Sequence, residues 1–217
     1  MDKLLALDLP DRAAPLLEHL MGGSPEGEGK AGLGARLADL RLDQDNAPGA
    51  VAALDASAPA SAVISGALVA RRTVLRARAM AATGQAKAAI RLLATETDVD
   101  ALALRAQLCD QLHDWPGAET SLRALARATL PAAGSLTEPQ QDLVLRLASA
   151  ASQAGDMAVL QELRVGLGAR LPPGPRLELF RALTAQPVQS LGDLPRSAHE
   201  TAAARALPAV LTSYKAH

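Results

Sequence analysis

Aromatic residues are almost missing from this chain: Trp115, Phe180 and Tyr214 are the complete set among 217 residues. Together with a shortage of β-branched residues, this removes the side chains that suit strands and argues against a β fold. Cysteine occurs once, at Cys109, which excludes an internal disulfide and a cysteine-based zinc site and leaves a lone thiol expected on a buried helix face. Excess charge of either sign is lacking. The net charge of -1 and pI near 6.4 provide no general attraction to nucleic acid or to an anionic lipid surface. Long apolar runs are absent as well: the longest uncharged stretch, 56–70, contains Pro59 and Gly66 and is too short to span a bilayer. The first residues, with Asp8, Asp11 and Arg12 close behind Leu4 and Leu5, predict no signal peptide. The expectation is a cytoplasmic protein, unless the chain is part of a longer, targeted one.

What remains is alanine and leucine. Hydrophobic residues make up 49% of the sequence, and most are these two strong helix formers. Small alanine side chains let helices approach closely, so a core of this kind is dense and leaves little room for a cofactor.

A unit recurs along the chain: an amphipathic helix, a short polar turn with Gly or Asp, then a second helix with a small residue and a leucine four positions later. In Asp45-Asn46-Ala47-Pro48-Gly49-Ala50 the alanine precedes Leu54, and in Gly84-Gln85-Ala86-Lys87-Ala88-Ala89 it precedes Leu93. In His113-Asp114-Trp115-Pro116-Gly117-Ala118 it precedes Leu122, and Asp11-Arg12-Ala13-Ala14 leads into Leu17 and Leu20. Two helices joined by a tight turn pass closest just after that turn, where only a small side chain avoids a clash. A fifth hairpin is expected from Thr137-Glu138-Pro139, with Thr137 as N-cap, to Gly155-Asp156. Its partner helix carries Leu160, Leu163, Leu167 and Leu171 before Pro172-Pro173-Gly174. A helix near 176–185 closes the core with Phe180. Residues 22–29 read as a loop, 186–199 as a Pro/Gly/Ser-containing linker, and 200–214 as a short helix interrupted by Pro208.

These alanine-anchored hairpins resemble tetratricopeptide repeats and their relatives, and the units over 31–170 are similar to the C-terminal part of large tetratricopeptide-repeat proteins of alphaproteobacteria. The resemblance implies an all-α fold: an α-solenoid of about five antiparallel helical hairpins with degenerate repeats, spanning 1–185 and followed by a tail, 186–217. It also implies a habit of binding proteins. The pattern departs from the family where Thr73 and Ala77 stand in place of a large aromatic and a glycine.

Chemical motifs fail on inspection. Gly27-Glu28-Gly29-Lys30-Ala31-Gly32 spells a dinucleotide fingerprint, but Met21-Gly22-Gly23-Ser24-Pro25 precedes it where a strand is required, and two glutamates occupy the loop. A P-loop is missing both its first glycine, at Ser24, and its hydroxyl, at Ala31. His199-Glu200 lacks the second zinc ligand, since Ala203 stands four residues on. His19, His113, His199 and His217 show no ligand spacing, and Cys109 has no histidine at the spacing of a known nucleophile motif. No catalytic, cofactor-binding or metal-ligating residue is assigned, and the chain is not read as an enzyme.

Charge patterning is the one surface signal. Between Asp55 and Glu96 every charge is basic, namely Arg71, Arg72, Arg76, Arg78, Lys87 and Arg91. The next unit is acidic, with Glu96, Asp98, Asp100, Asp110, Asp114 and Glu119 against Arg105. One reading is attraction between neighbouring hairpins that fixes their order. The other is a partner-binding groove in which Arg71 and Arg78, on one face of a helix, meet an acidic protein or peptide, with Asp39, Gln107, Asp110, Ser149 and Ser152 on the same face. The two functional expectations are a protein-binding or scaffold module and, alternatively, a structural segment capping a longer solenoid in a larger assembly.

Overall fold

The computed structural model describes residues 10–59 and 64–185; the expected linker and last helix over 186–214, and His199, lie outside them. The described residues are helical, without strands. They fall into two compact units divided between Leu112 and His113; the tail expected from 186 lies outside the described residues.

The first unit contains α1 (Pro10–Gly23), α2 (Glu28–Asp43), α3 (Ala47–Ala56), α4 (Gly66–Ala82), α5 (Ala86–Leu92) and α6 (Val99–Gln111). Consecutive helices pack on one another, and α2 also meets α4, as α4 meets α6. The expected 22–29 loop is shorter than its glycines suggest. Helix α1 runs on to Gly23, and Glu28 already opens α2, so most of the Gly27–Gly32 motif is helix. One apolar cluster joins Ala14 and Leu17 to Ala35 and Ala38, to Ala50 and Leu54, and to Leu75 and Ala79. A second gathers Ala77, Ala89, Leu93, Ala101 and Leu108. Leu20, expected to follow Leu17 inward, is 40% exposed.

The second unit contains α7 (Trp115–Thr129), α8 (Glu138–Ala154), α9 (Met157–Leu167), a 3-10 turn (Gly168–Arg170) and α10 (Pro175–Leu183). Helix α8 is central, with α7, α9 and α10 packed against it. The capping box of Thr137 with Gln140 opens α8. Phe180 is buried, as expected. The leucine stripe of α9 ends as helix at Leu167, and Leu171 enters the core from beyond the 3-10 turn.

The turns share one construction. Asp45, Gly84, His113 and Gly155 all have positive φ, the left-handed conformation that ends a helix. The following amide donates back across the turn in three of them: Asn46 to the Arg41 carbonyl at 2.8 Å, Gln85 to Met80 at 2.9 Å and Asp156 to Ala151 at 2.9 Å. Asn46, Asp114 and Asp156 then cap the next helix, accepting from the amides of Gly49, Gly117 and Val159 respectively. Five residues after each left-handed position stands the inward residue. Ala50, Ala89 and Ala118 are 0% exposed, and Leu160, also buried, takes that place in the last turn.

Candidate functional site

Arg71 and Arg78 are seven residues apart on α4, nearly two full turns, and so share a face. Both reach Asp39 on α2. Arg71 Nη2 lies 3.2 Å from its Oδ2, and Arg78 Nη1 lies 2.8 Å from its Oδ1. Arg78 also stands 3.6 Å from Asp43. Arg76 pairs with Asp55 at the end of α3. Three of the four arginines on this helix are therefore paired with carboxylates of the hairpin before it. Attraction between hairpins was one of the two readings of the charge pattern; its direction is toward 39–55 rather than toward the acidic stretch beginning at Glu96. That stretch spends two carboxylates on helix starts: Asp98 accepts from the Asp100 amide and Asp114 from the Gly117 amide. Carboxylates at such positions meet the positive end of the helix dipole.

Of the seven candidate residues, Asp39, Arg71 and Arg78 are brought together. Gln107, exposed, and Asp110, half-buried, are on α6 of the same unit. Ser149, half-buried, and Ser152, exposed, are on α8 of the other unit.

A second arginine set is structural, and sequence reading passed over it. Arg72 donates from Nη2 to the Leu54 carbonyl at 2.6 Å and from Nη1 to the Ala31 carbonyl at 2.7 Å and the Ser57 hydroxyl at 3.0 Å. One guanidinium thus ties α2, the end of α3 and α4 together; the Leu54 carbonyl is in the last turn of α3, where a helix leaves carbonyls unpaired, and the Ala31 carbonyl is in the first turn of α2. Burial first, then repulsion from Arg76, lowers its pKa from the ordinary arginine value, against the attraction of Asp55. Arg105 repeats the device one hairpin later, donating to the carbonyls of Leu93 at 3.0 Å and Ala94 at 2.9 Å. Counted from Gly66 and from Val99, Arg72 and Arg105 hold the same position in their helices. Leu54 and Leu93 each follow an anchor alanine by four residues. That shared offset was the signal available in the sequence.

In the second unit a hollow of about 290 Å³ opens between α7 and α9 over α8. Its floor is apolar, with Leu130, Leu147, Leu163 and Leu167, and its rim carries Arg123, Arg127, Arg170 and Glu162. Arg123 pairs with Glu162. Arg170 fastens the adjoining loop by donating to the carbonyls of Pro131 at 2.7 Å and Gly134 at 3.0 Å. Glu119, on α7, is buried, and burial first, then the nearby charge of Asp156, raises its pKa, opposed by Arg123.

Among the described residues no group of three or more His, Cys, Asp or Glu side chains is gathered as metal ligands, and no helix is long and apolar enough to cross a membrane. Cys109 is buried. No family model matches the chain. No curated protein and no solved structure matches it either.

Proposed function

We propose that this chain is a non-catalytic protein-binding or scaffold module, a short stack of tetratricopeptide-like hairpins that takes an acidic partner segment along the face carrying Arg71 and Arg78. The repeated turn, with its buried anchor alanine, supports the stack. The observation that carries the binding reading is the sharing of one carboxylate, Asp39, by two half-exposed guanidinium groups. Each guanidinium has five N–H donors in a planar fork, and Asp39 occupies few of them, so donors remain for carboxylates of a partner.

The test is titration of the full chain with a labelled Glu/Asp-rich peptide at two salt concentrations, beside the R71E/R78E variant. Binding that weakens about tenfold and loses its salt dependence in the variant is the expected result. Unchanged affinity and salt slope would remove the proposal. The other reading of the charge pattern, attraction between neighbouring hairpins, rests on the same pairs, which join α2 to α4. A variant that melts several degrees lower, with no peptide binding by either form, would favour that reading.

A further inference from the structure

The hollow between α7 and α9 combines two features that a solvated surface does not ordinarily join. Its floor is leucine, and its rim has three arginines against one glutamate. Two of the arginines are committed, Arg123 to Glu162 and Arg170 to backbone carbonyls. Backbone carbonyls do not cancel the Arg170 charge. Arg127 is exposed and has no ion pair among the described residues. The rim is therefore cationic, and it surrounds apolar surface.

We propose that this hollow receives one aliphatic side chain of an acidic partner polypeptide, whose flanking carboxylates pair with Arg127 and Arg170. Size supports a single anchor, because about 290 Å³ is at the small end of ligand pockets. Shape supports a polypeptide over a free aliphatic acid. The hollow lies between two helical walls, with lining residues from Arg123 to Ala132 along one side and from Val159 to Arg170 along the other, so it is elongated as a groove is. An amphipathic helix or extended segment laid across such a groove buries one residue and leaves its neighbours at the rim. A desolvated guanidinium–carboxylate pair next to that anchor sets orientation and excludes basic partners. The inference shares with the proposed function the idea of a binding module, but it concerns a different surface, and the two fail separately.

The experiment uses the full chain and a labelled peptide of about 15 residues with leucine at every third or fourth position and glutamate between them. Gly166→Leu places a side chain at the mouth of the hollow; a β-carbon at Gly166 meets nothing within 4 Å, so the fold tolerates it. Arg127→Glu reverses the unpaired rim charge at an exposed position. R181E, at an exposed arginine outside the hollow, controls for general charge. Expected is a Kd of roughly 10–100 µM, raised about tenfold or more by G166L and by R127E and by serine replacing leucine in the peptide, with R181E within about twofold. Full affinity in G166L would overturn the proposal, as would a loss in R181E equal to that in R127E. It would also be overturned if the peptide failed to bind, whether or not decanoate did.

Discussion

Gly34 has no room for a β-carbon. One built there would stand 1.7 Å from Ser57 Oγ and 2.3 Å from Ser57 Cβ, with the Ala53 carbonyl at 3.0 Å. Helices α2 and α3 touch backbone to side chain at this point, and the Ser57 hydroxyl turns back to the Ala53 carbonyl at 2.7 Å. Gly34→Ala is expected to destabilise the protein by about 2–3 kcal/mol through overpacking. Adding Ser57→Gly should restore at least half of that, since it removes both clashing atoms. Thermal melts of the single and double variants check this, and a single variant as stable as the parent would contradict the close approach. The anchor alanines were legible because a recurring residue at fixed distance from a turn is visible in a string. Gly34 was not, because its clash partner is on another helix and no repeat marks the pair.

At the scale of the element, Arg72 acts as a shared cap. Arg72→Met removes three hydrogen bonds, to the Leu54 and Ala31 carbonyls and the buried Ser57 hydroxyl, and a loss of about 2–3 kcal/mol is expected. Arg72→Lys should recover less than half, because an ammonium cannot reproduce the planar fork. Arg105→Met, whose bonds are more exposed, is expected to cost about 1 kcal/mol. Chemical denaturation of the three variants tests the ranking. An equal loss for Arg72→Met and Arg105→Met would show that burial does not set the difference.

Helix α7 supplies a pH dependence. A carboxyl whose folded-state pKa is raised, as at Glu119, binds its proton more tightly in the folded chain. Its contribution is fully present below the unfolded pKa and is lost as pH rises through the folded one. Glu119→Gln should therefore raise the melting temperature by about 1–2 °C near pH 7 and give no gain near pH 3.5. A gain of equal size at both values would exclude titration as its source.

For the whole molecule, the ion pairs of the first unit decorate a core of alanine and leucine and are not its main support. Arg71, Arg76 and Arg78 keep 54%, 38% and 40% of their side chains exposed, and pairs of that kind contribute about 0–1 kcal/mol each. Between about 0.05 and 1 M sodium chloride the melting temperature is expected to move by no more than a few degrees. A larger fall would make electrostatics a principal term.

The sequence by itself determined the helices, the turns and the inward alanines. Periodicity, caps and left-handed residues are local, and each is written within a few neighbouring positions. Tertiary structure alone decided which hairpin pairs with Arg71 and Arg78, how Arg72 joins three helices, and that Leu130, just past α7, meets leucines of α8 and α9 under an arginine rim. Those contacts join residues tens of positions apart, and a string of charges carries no register to say which opposite charge comes within reach.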